Sequence, residues 1–140
     1  MSKPPSSSTS FSVGQVWKYK TRPDESDSRL TIVSIDHDDP EYGDIVHIYV
    51  SELNIPNPSA PGGKTVFISH LPYLSDALAQ SVTELDSQHD DVESALEQFE
   101  ATQEGYRLWK RAFENSEAGV FTNPVADAIG FVQKSIKEQQ

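Results

Sequence analysis

Two runs dense in β-branched residues, Leu30-Thr-Ile-Val-Ser-Ile35 and Ile45-Val-His-Ile-Tyr-Val50, constrain this chain more than any other feature. β-Branched side chains lose χ1 freedom in a helix and pack well on a pleated surface, so each run specifies a strand. The segment between them, Asp36-His-Asp-Asp-Pro-Glu-Tyr-Gly43, is turn chemistry: Pro40 offers no N–H to a ladder, and Gly43 tolerates backbone angles that end a strand. A hairpin is the economical reading. Both runs are apolar at odd and even positions alike, which predicts strands covered on two faces or curled into a small barrel.

The rest of the chain arranges itself around that hairpin. Val16, Trp17 and Tyr19 lie in a β-favouring run, with Trp17 and Tyr19 on one core-facing side, and Thr65 to Ser69 is expected as a fourth strand. Residues 54–63 hold Pro56, Pro58, Pro61, Gly62 and Gly63 and read as a stiff loop. After His70 the spacing turns helical, with Ser75 as an expected N-cap. A main helix is predicted from near Ser87, because Val92, Ala95, Leu96, Phe99, Tyr106, Trp109 and Phe113 recur at three, four and seven; Gly105 is a possible break in it. Thr122 or Asn123 as cap, Pro124 at the first position and Val125, Ile129, Val132 and Ile136 on one face mark a last helix. The fold class is therefore α+β: an antiparallel sheet or small curled barrel of about four strands, then three or four helices. Residues 1–10 are expected to be a disordered leader, and 11–140 a single α+β domain, mainly β over 11–70 and mainly α over 71–140.

Composition narrows the classes of function. The 140 residues carry 22 acidic against 11 basic side chains, a net charge of −11, which disfavours a nucleic-acid backbone or an anionic membrane as partner. With no cysteine, thiol catalysis, Cys-ligated zinc and disulfides are excluded. No apolar run exceeds three residues and Met1–Ser10 lacks the apolar core of a signal peptide, so a cytoplasmic, unanchored protein is the expectation.

The residues Gly14-Gln-Val-Trp17, Tyr19, Thr21-Arg22, the Leu30-Thr-Ile run, Ile45-Val-His-Ile48, Asn57-Pro58, Pro61-Gly-Gly63, Ile68-Ser-His70, Gly105-Tyr106, Trp109 and Ala118-Gly-Val-Phe-Thr122 resemble a group of small uncharacterised bacterial proteins. That resemblance covers nearly all of the chain after the leader. It implies a single-domain bacterial protein and carries no activity or catalytic motif with it.

Charge is distributed unevenly. Residues 30–106 hold fifteen acidic residues and one basic residue, Lys64, whereas the flanks are weakly basic. Within that stretch Asp86, Asp90, Glu93, Glu97, Glu100 and Glu104 are spaced 4, 3, 4, 3, 4, so one continuous helix would carry them as a single stripe, roughly 140° from the apolar face centred on Phe99. A solvated face explains such a stripe. Yet its five like-charge pairs would cost about 0.2–0.5 kcal/mol each, and helix-end dipole compensation does not reach Glu97, Glu100 and Glu104. These six acids are the candidate partner-binding residues, facing a basic protein surface.

The four histidines are the candidates for acid–base chemistry. His37 stands in the acidic turn, whose spacing fails the calcium-loop template, and His89 stands at a helix start among acids. His47, inside an apolar strand, is expected to hydrogen-bond within or beside the core. His70, ending a strand beside the Pro/Gly loop, is the best single ligand candidate, with Lys64 and Arg22 as cations for an anionic ligand. Gly63-Lys64-Thr65 is not a phosphate loop, because the required earlier glycine is Pro58, and no Gly-x-Ser-x-Gly is present. Tyr106, Trp109 and Phe113 are expected to pack on the core, and Phe121 to lie on a short edge strand that a partner strand would meet.

Three functions compete on this reading. The favoured one is a non-catalytic acidic interaction module, such as an immunity-type or antitoxin-like neutraliser of a basic protein, needing no cofactor and no metal. The second is a small-ligand-binding protein or enzyme with its site near His70 and the loop 54–63. The third is an adaptor that uses an exposed strand edge or aromatic patch. No catalytic template is intact, so the reading leans away from an enzyme.

Overall fold

The structure is a computed structural model that describes residues 11–88 and 100–138. Seven strands and three helices are described: β1 (Gln15–Tyr19), β2 (Arg29–Asp39), β3 (Gly43–Ser51), β4 (Ile55–Pro56), β5 (Lys64–Thr65), β6 (Ile68–Leu74), α1 (Ser75–Ser81), β7 (Val82–Gln88), α2 (Glu100–Glu114) and α3 (Val125–Glu138). The chain is α+β, with its helices mostly C-terminal. The leader 1–10 lies outside the described residues.

Five strands form one antiparallel sheet in the order β6-β3-β2-β1-β7, and β4 and β5 form a separate two-stranded ladder. The sheet is open, so the barrel alternative is not realised, and it has one strand more than the four expected. The extra strand is β7, which pairs with β1 through Val16–Ser87, Lys18–Glu84 and Tyr19–Val82. Its sequence, VTELDSQ, alternates only weakly, and two register shifts bend it around β1. Pairing along β1 rather than intrinsic preference makes this a strand, and the predicted helix start near Ser87 is thereby corrected.

The hairpin is as expected but tighter, because β2 runs to Asp39 and β3 begins at Gly43. Asp39 Oδ2 accepts the backbone N–H groups of Glu41 and Tyr42, both at 3.0 Å, which fixes the turn. His37 consequently belongs to β2, where its Nδ1 lies 3.4 Å from Asp44 across the ladder.

Both faces of the central strands are covered. One face presents Leu30, Ile32, Val46, Ile48, Val50, Leu71 and Tyr73 to Leu78 of α1 and to Val125, Ala128 and Ile129 of α3. The opposite face, around His47, lies under Tyr106 and Trp109 of α2. Helix α3 starts one residue later than predicted: Pro124 acts as the cap, its carbonyl accepting from Asp127 and Ala128, while buried Ser81 Oγ accepts the Val125 N–H at 3.1 Å. Ser75 opens α1 but makes no cap bond; Leu74 holds the cap position. Phe121 is bonded on both sides of its peptide to β6, through Leu74 and Pro72, so it offers no free edge.

Candidate functional site

The sequence-predicted residues do not converge on one place. Asp86 lies on β7, where its carboxylate is 3.5 Å from Arg29, whereas Glu100 and Glu104 lie on α2. A strand at one end and a helix at the other cannot present six acids as one helical stripe, so that arrangement is corrected. Asp90, Glu93 and Glu97, with His89, lie outside the described residues.

The alternative ligand set is dispersed as well. Arg22 grips Glu25 with two parallel bonds of 2.7 and 2.8 Å and donates to Gln133 of α3 at 2.7 Å. Glu25, buried, also accepts the Asn54 N–H at 2.7 Å. Burial raises this carboxyl, but the Arg22 guanidinium and the Asn54 amide outweigh it and hold it below the usual carboxylate range. Arg22 is thus a structural clamp joining three segments. Lys64 stands exposed on β5, and the Pro/Gly segment around it closes on itself: Asn57 donates to the Gly63 carbonyl and to Thr65 Oγ1, with Gly62 and Gly63 both at φ 75°.

The structure gives His70 a different setting. His47 Nε2 is 2.9 Å from Asp36 Oδ2, and His47 Nδ1 is 2.8 Å from His70 Nε2, the two rings stacking at 5.0 Å. Tyr106 OH donates to Asp36 Oδ1 at 2.9 Å, and Lys110 Nζ lies 3.8 Å from the same oxygen. One proton arrangement satisfies the row with Asp36 ionised. His47 donates from Nε2 to the carboxylate, its Nδ1 lone pair accepts the His70 Nε2–H, and His70 Nδ1 is left as a lone pair.

Cross-strand register builds this row. Asp36 pairs with Ile45 and His47 with Pro72, so Asp36, His47 and His70 are diagonal neighbours on three adjacent strands. Above them α2 comes close because position 105 is glycine: a Cβ there would stand 3.0 Å from His70 Cβ. Burial pushes His47 below its ordinary value despite the Asp36 bond. Burial, then the neighbouring His47, pushes His70 down to about 4. Asp36 is held below the carboxylate range, because the bonds from His47 and Tyr106 and the nearby positive charge exceed the effect of its burial. Both imidazoles are therefore neutral near pH 7. Among the described residues no group of three or more His, Asp or Glu is placed to hold a metal ion.

A second feature was not foreseen. Val66 and Phe67, between β5 and β6, are 51% and 42% exposed, and Phe67 stacks on Tyr49 at 5.5 Å. Val66 also lines a cleft together with Asp24, Asp27, Glu52 and Lys64. The three carboxylates make no ion pair among the described residues, and Glu52 raises the Tyr49 hydroxyl further after burial has done so. Asp24 and Asp27 fall outside the acidic stretch that the sequence singled out, which is why charge counting missed them. The exposed Val66-Phe67 pair inside a run expected as one strand was the available signal.

No protein-family model matches the sequence, and no curated protein or solved structure matches it. Among the described residues no helix is long and apolar enough to cross a membrane.

Proposed function

We propose that the chain is a non-catalytic interaction module that recognises a basic protein partner, as an immunity-type or antitoxin-like neutraliser would. The observation that carries this reading is the juxtaposition of exposed Val66 and Phe67 with the carboxylates of Asp24, Asp27 and Glu52, for which no ion pair is found among the described residues. Apolar and aromatic side chains at the centre of a contact supply most of its binding energy, whereas charges at its border set partner choice and association rate. Both parts are present here. A lysine or arginine from the partner would bring positive charge to the three acids, and an apolar partner residue would cover Phe67.

Affinity capture with the intact chain at low and at high salt tests this. The expected result is a basic partner whose capture weakens as salt rises and is lost with Asp24→Lys, Asp27→Lys and Glu52→Lys combined. Phe67→Ser is expected to weaken it at every salt concentration. Reversal of Asp86, Glu100 and Glu104 is the parallel arm for the acids that sequence alone favoured. Capture indifferent to salt and to both sets of reversals would refute a charge-guided contact.

A further inference from the structure

We propose that the Asp36–His47–His70 row is a proton-operated clasp that holds α2 on the sheet and releases it when the imidazole pair takes up a proton. The geometry for this is local. Gly105, Tyr106 and Trp109 of α2 all converge on this row: Gly105 abuts His70, Tyr106 bonds Asp36, and both aromatic rings lie edge-on to His47 at 4.7 and 4.9 Å.

Every donor in the neutral row has an acceptor, and the one imidazole nitrogen that the row leaves unbonded is His70 Nδ1. A proton there turns His70 into a cation with a second N–H, on an atom 3.9 Å from where a Gly105 Cβ would stand, and glycine supplies no acceptor side chain at that place. The groups facing the pair are Asp36 from β2, with Tyr106 and Lys110 from α2. Asp36 already accepts from His47 and Tyr106 and attracts Lys110, so the added charge meets a carboxylate shared with other donors and a like charge on α2. Protonation of both rings would also stack two cations 5.0 Å apart. Lifting α2 admits water to the imidazolium and separates it from Lys110. The sheet's other face, where α1 and α3 pack, contains none of these groups, so release of α2 leaves that core in place.

Hydrogen exchange of the intact chain, read by mass spectrometry and corrected for intrinsic rates, tests the clasp. Between about pH 7 and about pH 5, protection over residues 100–114 is expected to fall roughly tenfold or more while that over β2 and β3 stays within about twofold. His70→Gln keeps a neutral donor but cannot titrate, and is expected to remove the pH dependence. Should that variant not fold, the wild-type chain still decides: the His70 ring and the Trp109 indole, followed by NMR, are expected to share one titration midpoint. Parallel loss of protection in helix and sheet, an unchanged helix, a His70→Gln chain that keeps the pH response, or a Trp109 signal that ignores the His70 midpoint would each overturn the proposal.

Discussion

Two helical glycines offer a test of how α2 sits on the sheet, because the same substitution is expected to act oppositely at each. Gly105 is inside α2 and Gly130 inside α3. A Cβ added at 130 meets nothing within 4 Å, whereas one added at 105 would stand 3.0 Å from His70 Cβ, 3.6 Å from its Cγ and 3.9 Å from its Nδ1. Glycine in a helix interior is worse than alanine by roughly 1 kcal/mol, through the backbone entropy it loses on folding. Gly130→Ala should therefore stabilise the protein by about 0.5–1 kcal/mol. Gly105→Ala gains the same backbone term but drives a methyl group into a side chain that its bond to His47 holds in place. Overpacking of this kind costs about 1–3 kcal/mol, so the net change is expected to lie between about zero and a loss of 2 kcal/mol. Urea unfolding followed by tryptophan fluorescence, with midpoints compared at constant slope, measures the difference between the variants. A Gly105→Ala protein stabilised as much as Gly130→Ala would show that α2 does not rest on His70 at this distance.

Other consequences follow from the buried polar groups. Glu25→Gln removes the charge that Arg22 grips, and with Arg22 left poorly paired a loss of about 2–3 kcal/mol is expected in the same urea assay; a change under about 0.5 kcal/mol would contradict the clamp. Tyr73 is fully buried and its hydroxyl has no partner among the described residues, so Tyr73→Phe is expected to raise stability by about 1 kcal/mol. A comparable loss would mean that the hydroxyl is bonded. His70 lies at about 4 when folded against an ordinary 6.5, so on acidification the unfolded chain binds this proton first. Its contribution is complete above about pH 6.5 and is lost as pH falls toward about 4, amounting to roughly 2–3 kcal/mol once its partial exposure is discounted. His47 acts in the same sense, and Asp36 and Glu25 extend the loss to lower pH. Urea midpoints at about pH 7 and about pH 5 measure it, and a midpoint that rises on acidification would refute the assignment.

What the sequence disclosed depended on how local the information was. The central hairpin was legible because β-branched runs and a Pro/Gly turn act within a few residues, and the last helix because its apolar face repeats along one element. β7 was not legible, since VTELDSQ becomes a strand only through its ladder with β1, and its acids happened to continue the spacing of those that follow. The histidine row was hidden for a related reason: its members are 11 and 23 residues apart, and only strand register makes them neighbours. Asp36 stands opposite Ile45, one side-chain repeat from His47, only because the register shifts between Asp36 and Asp39; regular counting from the Asp39–Gly43 closing pair would set Asp36 opposite Val46 and turn it to the other face from His47. Gly105 shows the same limit from the helix side. Read alone it is a weak point in a helix; set against His70 it is the residue that lets α2 approach the sheet, and the helix runs through it unbroken from Glu100 to Glu114. A glycine that lowers helix propensity at a position where two elements meet is better explained by the contact it permits than by the helix it weakens.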